Sequence, residues 1–241
     1  MQIKQEYTYH EASTQLEGYL AFNDDANVKR KKPVVLVAHD WSGRNEFACK
    51  KAEKLASLGY VGFAIDMYGN KKTGATNDEK SALMMPLIND RQLLLKRIRA
   101  AVQAVSTLEM VDTTKIAAIG FCFGGLCVLD LARNSSDIVS VVSFHGNLSA
   151  PNNSSQKINA KILALHGYDD PLVPKSQVTD FENEMTAAKC DWQLTIYGGG
   201  VKHAFTNPLA NDPNFGTVYN EKADHRSWIA MRNFLSETLG C

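Results

Sequence analysis

Ile116-Ala-Ala-Ile-Gly-Phe-Cys-Phe-Gly-Gly125 is the stretch from which the rest of the chain can be placed. Four mostly apolar residues, Ile116 to Ile119, read as a buried strand. Gly120, Gly124 and Gly125 bracket Cys122, and Leu126 to Arg133 read as a helix. Strand, tight turn and helix around a G-x-nucleophile-x-G centre form the nucleophile-elbow pattern. The glycines have a physical task there. The turn forces strained dihedrals on the nucleophile, and extra Cβ atoms would clash where strand and helix nearly touch. A cysteine in that turn also sits at a helix N-terminus, where the dipole and the N–H groups favour the thiolate.

Working outward, strands and helices alternate. Residues 2–9 and 14–22 read as an N-terminal hairpin, and Asn23 to Lys32 as a charged surface turn. Pro33 to Ala38 is a short apolar run, as expected of a central parallel strand covered on both faces. Glu46 to Leu58 reads as a helix and Tyr60 to Ile65 as the next strand. Asp78 to Ser106 has helical periodicity interrupted at Pro86, which predicts a kink or two helices. Beyond the elbow come strand Ile138–Phe144, strand Lys161–His166, helix Lys175–Lys189 and strand Trp192–Tyr197. Gly198 to Gly216 reads as irregular and Glu221 to Leu239 as a final helix. This alternation at crossover spacing demands an α/β chain with a mostly parallel sheet and helices on both faces. No repeat, low-complexity segment or linker interrupts it, so residues 1–241 are expected to form a single domain.

Composition narrows the function classes. The chain has 241 residues, 44% of them hydrophobic and 22% charged, with a formal net charge of zero. That suits a globular protein with a real core, and nothing draws it toward nucleic acid or an anionic membrane. No apolar run approaches the roughly 18 residues of a membrane span. The start, Met1-Gln-Ile-Lys-Gln-Glu, lacks an apolar signal core. Five cysteines, at 49, 122, 127, 190 and 241, make an odd number with no C-x-x-C pair. This argues against a disulfide framework or zinc site and for a reducing, cytoplasmic setting. Asn134-Ser-Ser, Asn147-Leu-Ser and Asn153-Ser-Ser match the glycosylation pattern and are read as loop polarity.

Open parallel sheets carry their working residues just beyond the strand C-termini. Those positions hold His39, Asp40 and Trp41; Asp66, Met67 and Tyr68; Cys122; His145; Asp169 and Asp170; and His203. A nucleophile, an acid and a histidine therefore follow one another as Cys122, Asp170 and His203, the chain order of α/β-hydrolases. The thiol needs a base to take its proton, and the base needs a carboxylate to fix its tautomer. Asp170 is preferred to Asp169 because Pro171 biases it toward an extended backbone. The oxyanion donors are expected to be the N–H of Phe123 and that of Trp41. His39 and His166, at strand ends, read as satisfied structural histidines, and His145 as packing. A metal site of His39, Asp40, His145 and His203 matches no local ligand spacing and would leave Cys122 unexplained. The Gly120–Gly125 loop lacks both the dinucleotide-binding spacing and the P-loop lysine, so no nucleotide, metal or other cofactor is expected.

These residues resemble the dienelactone hydrolase family, the carboxymethylenebutenolidase-like branch of the α/β-hydrolases. Gly120-Phe-Cys-Phe-Gly-Gly125 is similar to the family's G-x-C-x-G-G elbow. His166-Gly-Tyr-Asp-Asp-Pro-Leu-Val-Pro174 is similar to its acid motif and again selects Asp170, and Gly200-Val-Lys-His-Ala-Phe205 to its histidine motif. The resemblance runs from about Pro33 to the C-terminal helix. It implies an α/β-hydrolase fold with an N-terminal antiparallel hairpin and a Cys-His-Asp triad. In relatives that act on dienelactone, a Glu near the thiol helps to generate the thiolate; the matching position here is Asp40, a shorter thiol-activating or substrate-contacting residue. Their Arg that clamps a substrate carboxylate corresponds here to Asn207, with Arg44 or Lys80 as possible substitutes.

The reading that follows is a hydrolase of esters or lactones working through an acyl-cysteine, with a small-molecule substrate and a monomeric or homodimeric state. Tyr68, Met84, Met85, Phe205 and Asn207 are the candidates for pocket lining. The alternative is a non-catalytic small-molecule-binding protein on the same fold, favoured by Asp40 and Asn207 and opposed by the complete triad. A redox-sensing Cys122 would need Cys127 to resolve it, and that requires unwinding the elbow.

Overall fold

The computed structural model describes residues 1–24, 30–134, 137–151 and 157–240. Part of the charged turn before Pro33, parts of the 134 and 153 glycosylation patterns, and Cys241 lie outside the described residues. The chain divides into two compact units, Met1–Ile119 and Gly120–Cys241.

The first unit opens with β1 (Gln2–Glu11) and β2 (Thr14–Asn23), an antiparallel hairpin in unbroken register from Gln2 opposite Asn23 to Glu11 opposite Thr14. Then come β3 (Lys32–Ala38), α1 (Glu46–Ser57) and β4 (Val61–Ala64), with β4 parallel to β3 and antiparallel to β2. Val34 to Ala38 and all of β4 are buried, as expected of strands covered on both faces. Each Val, Leu or Phe so enclosed contributes roughly 1.5–3 kcal/mol. Asn45 starts α1 because its Oδ1 accepts the N–H groups of Phe47 and Ala48.

The helical stretch after β4 is two helices, α2 (Asn77–Asn89) and α3 (Arg91–Ser106). The break falls at Asp90 and not at Pro86, which lies inside α2. Proline removes one donor. Asp90 both closes α2, through its N–H to Pro86 O, and caps α3, through Oδ1 to the Leu93 N–H. The elbow strand is also longer than the apolar run suggests: β5 spans Val111–Phe121. The boundary between the two units falls within it.

The second unit continues with α4 (Phe123–Asn134), β6 (Ser140–Phe144), β7 (Lys161–Gly167), α5 (Lys175–Ala187), β8 (Trp192–Tyr197) and α6 (Glu221–Leu239). β6, β7 and β8 pair in parallel. The stretch expected to be irregular contains a small antiparallel hairpin, β9 (Asn211–Asp212) with β10 (Thr217–Val218). Two-residue strands are too short to leave a periodic signal. The strand order is β1-β2-β4-β3-β5-β6-β7-β8, a mostly parallel eight-stranded sheet with an antiparallel hairpin at one edge. Among the described residues no helix is long and apolar enough to cross a membrane.

Candidate active site

The elbow is set by its strain. Cys122 has φ +54°, a left-handed conformation that a non-glycine residue adopts only when its surroundings enforce it. Three constraints do so. The Cys122 N–H donates to Phe144 O at the end of β6, at 3.0 Å. The Cys122 carbonyl accepts the N–H of Gly125 at 2.9 Å, so α4 begins directly after the cysteine. A Cβ on Gly125 would meet Ser143 Oγ at 2.5 Å and Gly146 Cα at 2.6 Å, and one on Gly120 would overlap the Gly124 carbonyl. Two of the glycines in the motif are therefore demanded by close approach, as the sequence pattern predicts. The helix starts at Phe123, earlier than the glycine-rich sequence suggests, because the αL turn delivers the chain straight into it.

The partners of Cys122 in this unit come from the ends of β7 and β8. Asp170 and His203 are both buried, and His203 Nδ1 lies 2.7 Å from Asp170 Oδ2. The other Asp170 oxygen accepts the Leu172 N–H at 2.8 Å. A carboxylate engaged on both oxygens cannot swing, so it gives the Nδ1 side of the imidazole a firm anchor. Burial disfavours the His203 imidazolium. The charge of Cys122 beside it and the bond to Asp170 outweigh burial, and the His203 pKa is raised to about 10. His203 Nε2 has no hydrogen-bond partner of ordinary geometry. Cys122 nevertheless acts on it through charge and a looser hydrogen bond. Asp169 is exposed and its Oδ2 takes the Gly200 N–H at 3.0 Å, a turn role.

The remaining histidines differ from one another. In the first unit His39 Nε2 accepts the Met67 N–H at 3.2 Å, so its proton resides on Nδ1, which donates to Asp40 O at 2.6 Å. Both nitrogens are used, burial holds the ring below its ordinary pKa, and no position remains for a metal. In the second unit burial also lowers the pKa of His166. Asp170 and His203 are its charged neighbours, and its Nδ1 is buried without a partner, so the expectation of a satisfied histidine fails there. His145 is the residue whose importance the sequence understates. It has φ +40°, its Nε2 lies 2.8 Å from Thr206 Oγ1, and its ring meets His203 edge to face at 5.1 Å.

The other expected site residues fall as follows. Asp40 is buried and its Oδ1 accepts the Ser42 N–H, so its carboxylate shapes its own loop. Tyr68 donates its hydroxyl to Trp41 O at 3.0 Å, and Lys80 Nζ sits over the Trp41 ring at 5.4 Å, so these three gather in the first unit. Met84 is half-buried and Met85 exposed on α2. Arg44 is wholly enclosed, bonded to Glu6 Oε2 at 2.6 Å and to Cys49 Sγ at 3.2 Å, and serves as no clamp. It lines a cavity of about 550 Å³ whose charged walls, including Glu6, Lys71 and Glu53, are already paired with one another or with neighbours. Phe205 has no exposed surface; it packs against His145 and Tyr197 and so backs the histidine loop instead of lining a pocket. Asn207 closes the turn after His203, its N–H on Ala204 O and its Oδ1 accepting the Leu209 N–H. Phe123 is the first residue of α4, and the first N–H groups of a helix have no acceptor within it.

The profile of the dienelactone hydrolase family matches residues 16–239. A protein of Caenorhabditis elegans is 38% identical over 156 residues, covering 63% of this chain and 98% of its own. Among solved structures, m3DLH is 33% identical with a TM-score of 0.93 over 99% of both chains. A dienelactone hydrolase-like promiscuous phosphotriesterase from metagenomic libraries is 33% identical with a TM-score of 0.92 over 98% of both.

Proposed function

The chain belongs to the dienelactone hydrolase family, and on that premise we propose that it hydrolyses carboxylic esters or lactones through an acyl-cysteine. One observation carries this reading. A cysteine in a strained turn at the head of a helix shares its surroundings with a buried histidine bonded to a buried carboxylate.

The chemistry follows from those groups. His203 holds the proton of Cys122, giving a thiolate and an imidazolium. The thiolate attacks the carbonyl carbon and the C=O electron pair moves onto oxygen. The N–H of Phe123, at the head of α4, is the donor proposed for this oxyanion. Its collapse expels the alcohol oxygen, which takes the proton from His203 and leaves a thioester on Cys122. Water then attacks the thioester and loses a proton to His203. The thiolate departs and the acid is released. Asp170 fixes the tautomer throughout and stabilises the imidazolium. The family match runs across both compact units, which supports reading residues 1–241 as one catalytic domain. The odd cysteine number supports a reducing, cytoplasmic setting.

Two substitutions bear on the substrate. Asp40 and Asn207 each engage a nearby backbone N–H of their own turn, and Asn207 has no charge with which to clamp a carboxylate. Neutral esters and lactones are therefore preferred to anionic dienelactone. The test is turnover of short p-nitrophenyl esters at neutral pH by wild type and Cys122→Ala. A p-nitrophenyl phosphotriester is included because a relative with 33% identity is a promiscuous phosphotriesterase. Wild-type turnover that falls by about a thousandfold or more in the variant is the expected result. Equal, slow rates in both proteins would overturn the reading in favour of a binding protein.

A further inference from the structure

His203 stands on a loop with little regular structure of its own, so something must hold it to the angle the thiol requires. Backbone bonds tie the loop to the segment after it: His203 N–H to Gly216 O, Val218 N–H to His203 O, and Asn220 N–H to Phe205 O, each at 3.0–3.1 Å. Side-chain bonds tie it to the sheet. One is His203 to Asp170, beyond β7. Another is Thr206 Oγ1 to His145 Nε2, beyond β6, at 2.8 Å, the donor following the histidine tautomer.

His145 is fastened on its own side. Its N–H donates to Leu165 O at 2.8 Å, and its backbone stands at φ +40°. A side chain in that left-handed position is strained where a glycine would not be, which makes the imidazole the reason for the residue. That imidazole lies edge to face on both His203, at 5.1 Å, and Phe205, at 5.0 Å. It follows Phe144, whose carbonyl receives the Cys122 N–H. One short segment, residues 144–145, thus touches both the nucleophile's backbone and the histidine's ring.

We propose that His145 is a positioning residue: through Thr206 and its own ring face it fixes the His203 imidazole relative to Cys122. The inference rests on the hydrolase reading only for its purpose, and its test does not need turnover. The groups facing His203 are Cys122, Asp170, His145 and His166. If His203 drifts, Cys122 loses its proton acceptor and becomes less nucleophilic at neutral pH.

The experiment is alkylation of Cys122 by iodoacetamide across pH, read by mass spectrometry of the peptide that carries it. The full-length wild type is compared with His145→Phe, Thr206→Val, Thr206→Ser and the double variant His145→Phe/Thr206→Val. His145→Phe keeps an aromatic face and loses the bond; Thr206→Val loses the hydroxyl at nearly constant shape. Each should slow alkylation at neutral pH by about tenfold or more and move the pH profile upward. The double variant should be no slower than the slower single one, because both act through one contact. Thr206→Ser, which keeps the hydroxyl, should restore the wild-type profile. An unchanged profile in a folded Thr206→Val protein, or losses that multiply in the double variant, would overturn the proposal. Where His145→Phe does not fold, the Thr206 pair decides alone. Wild type that is alkylated as expected yet hydrolyses no ester would refute the hydrolase reading and leave the positioning role intact.

Discussion

In the mechanism proposed above, the charge on Cys122 sets which half of acid–base chemistry His203 performs. Burial pushes the imidazole toward its neutral form, and the Cys122 charge is the largest influence opposing that, ahead of Asp170. Forming a thioester abolishes the sulfur charge and leaves burial in place. The imidazolium thereby becomes a stronger acid and gives its proton more readily to the leaving group, and the neutral ring that remains can take a proton from water. This predicts the result of deleting the sulfur. In Cys122→Ala the His203 pKa, read by NMR titration of its ring protons, should fall from about 10 toward or below the ordinary 6.5 or so. A value that stayed near that of the wild type would assign the raised basicity to Asp170 alone and refute the switch. At the same scale, Gly125→Ala should destabilise the elbow, because its Cβ would meet Ser143 Oγ and the Gly146 backbone. A melting temperature equal to that of the wild type would show that the backbone can give way there.

Among the elements, those that the chain signals locally are the ones readable in advance. Pro33 to Ala38 is uniformly apolar and bounded by charge on one side and His39-Asp-Trp on the other, and it is β3. Asn45, Thr76 and Asn220 are side-chain caps at the starts of α1, α2 and α6. The junction between α2 and α3 is different, because two signals four residues apart compete. Proline dominates a reading by residue type. In the folded chain the cap wins, since Asp90 satisfies the Leu93 N–H and Pro86 costs α2 only one donor. The consequence can be measured. Asp90→Ala should lower stability by about 1 kcal/mol in urea unfolding, whereas Pro86→Ala should leave the helix break where it is and stability equal or higher. The reverse order of effects would give the break back to the proline. The β9–β10 hairpin and the link from His145 to Thr206 had no such local signal. The latter joins irregular segments 61 residues apart. The Cys122, Asp170 and His203 positions were legible because each follows a strand whose end the sheet topology brings to one edge. His145 shares that placement, but its hydrogen-bond partner does not follow from placement alone.

For the molecule as a whole, its buried titratable groups pull in opposite directions, and the pH dependence of stability follows from their signs. His39 and His166 have folded pKa values lowered by burial. The unfolded chain therefore binds their protons more readily, and the stability they contribute is present above about pH 6.5 and lost as the pH falls. His203 has a folded pKa raised to about 10, and burial raises that of Tyr9 still further. Their contribution works the other way: the His203 share is complete below about pH 6.5 and is lost as the pH climbs through the folded value, and Tyr9 adds its loss above about pH 10. The two sets together place the maximum near neutrality, with each single group limiting its slope to about 1.4 kcal/mol per pH unit. Urea midpoints measured from pH 5 to 10 should trace this dome. Cys122→Ala removes the main cause of the raised His203 value, so it should flatten the alkaline side between pH 7 and 10. His166→Gln, which replaces the titrating ring with a neutral amide, should flatten the acid side. An alkaline slope of wild-type steepness in Cys122→Ala would mean that the thiol and the imidazole do not share a charge in the resting protein, and the catalytic pairing proposed for them would fail with it.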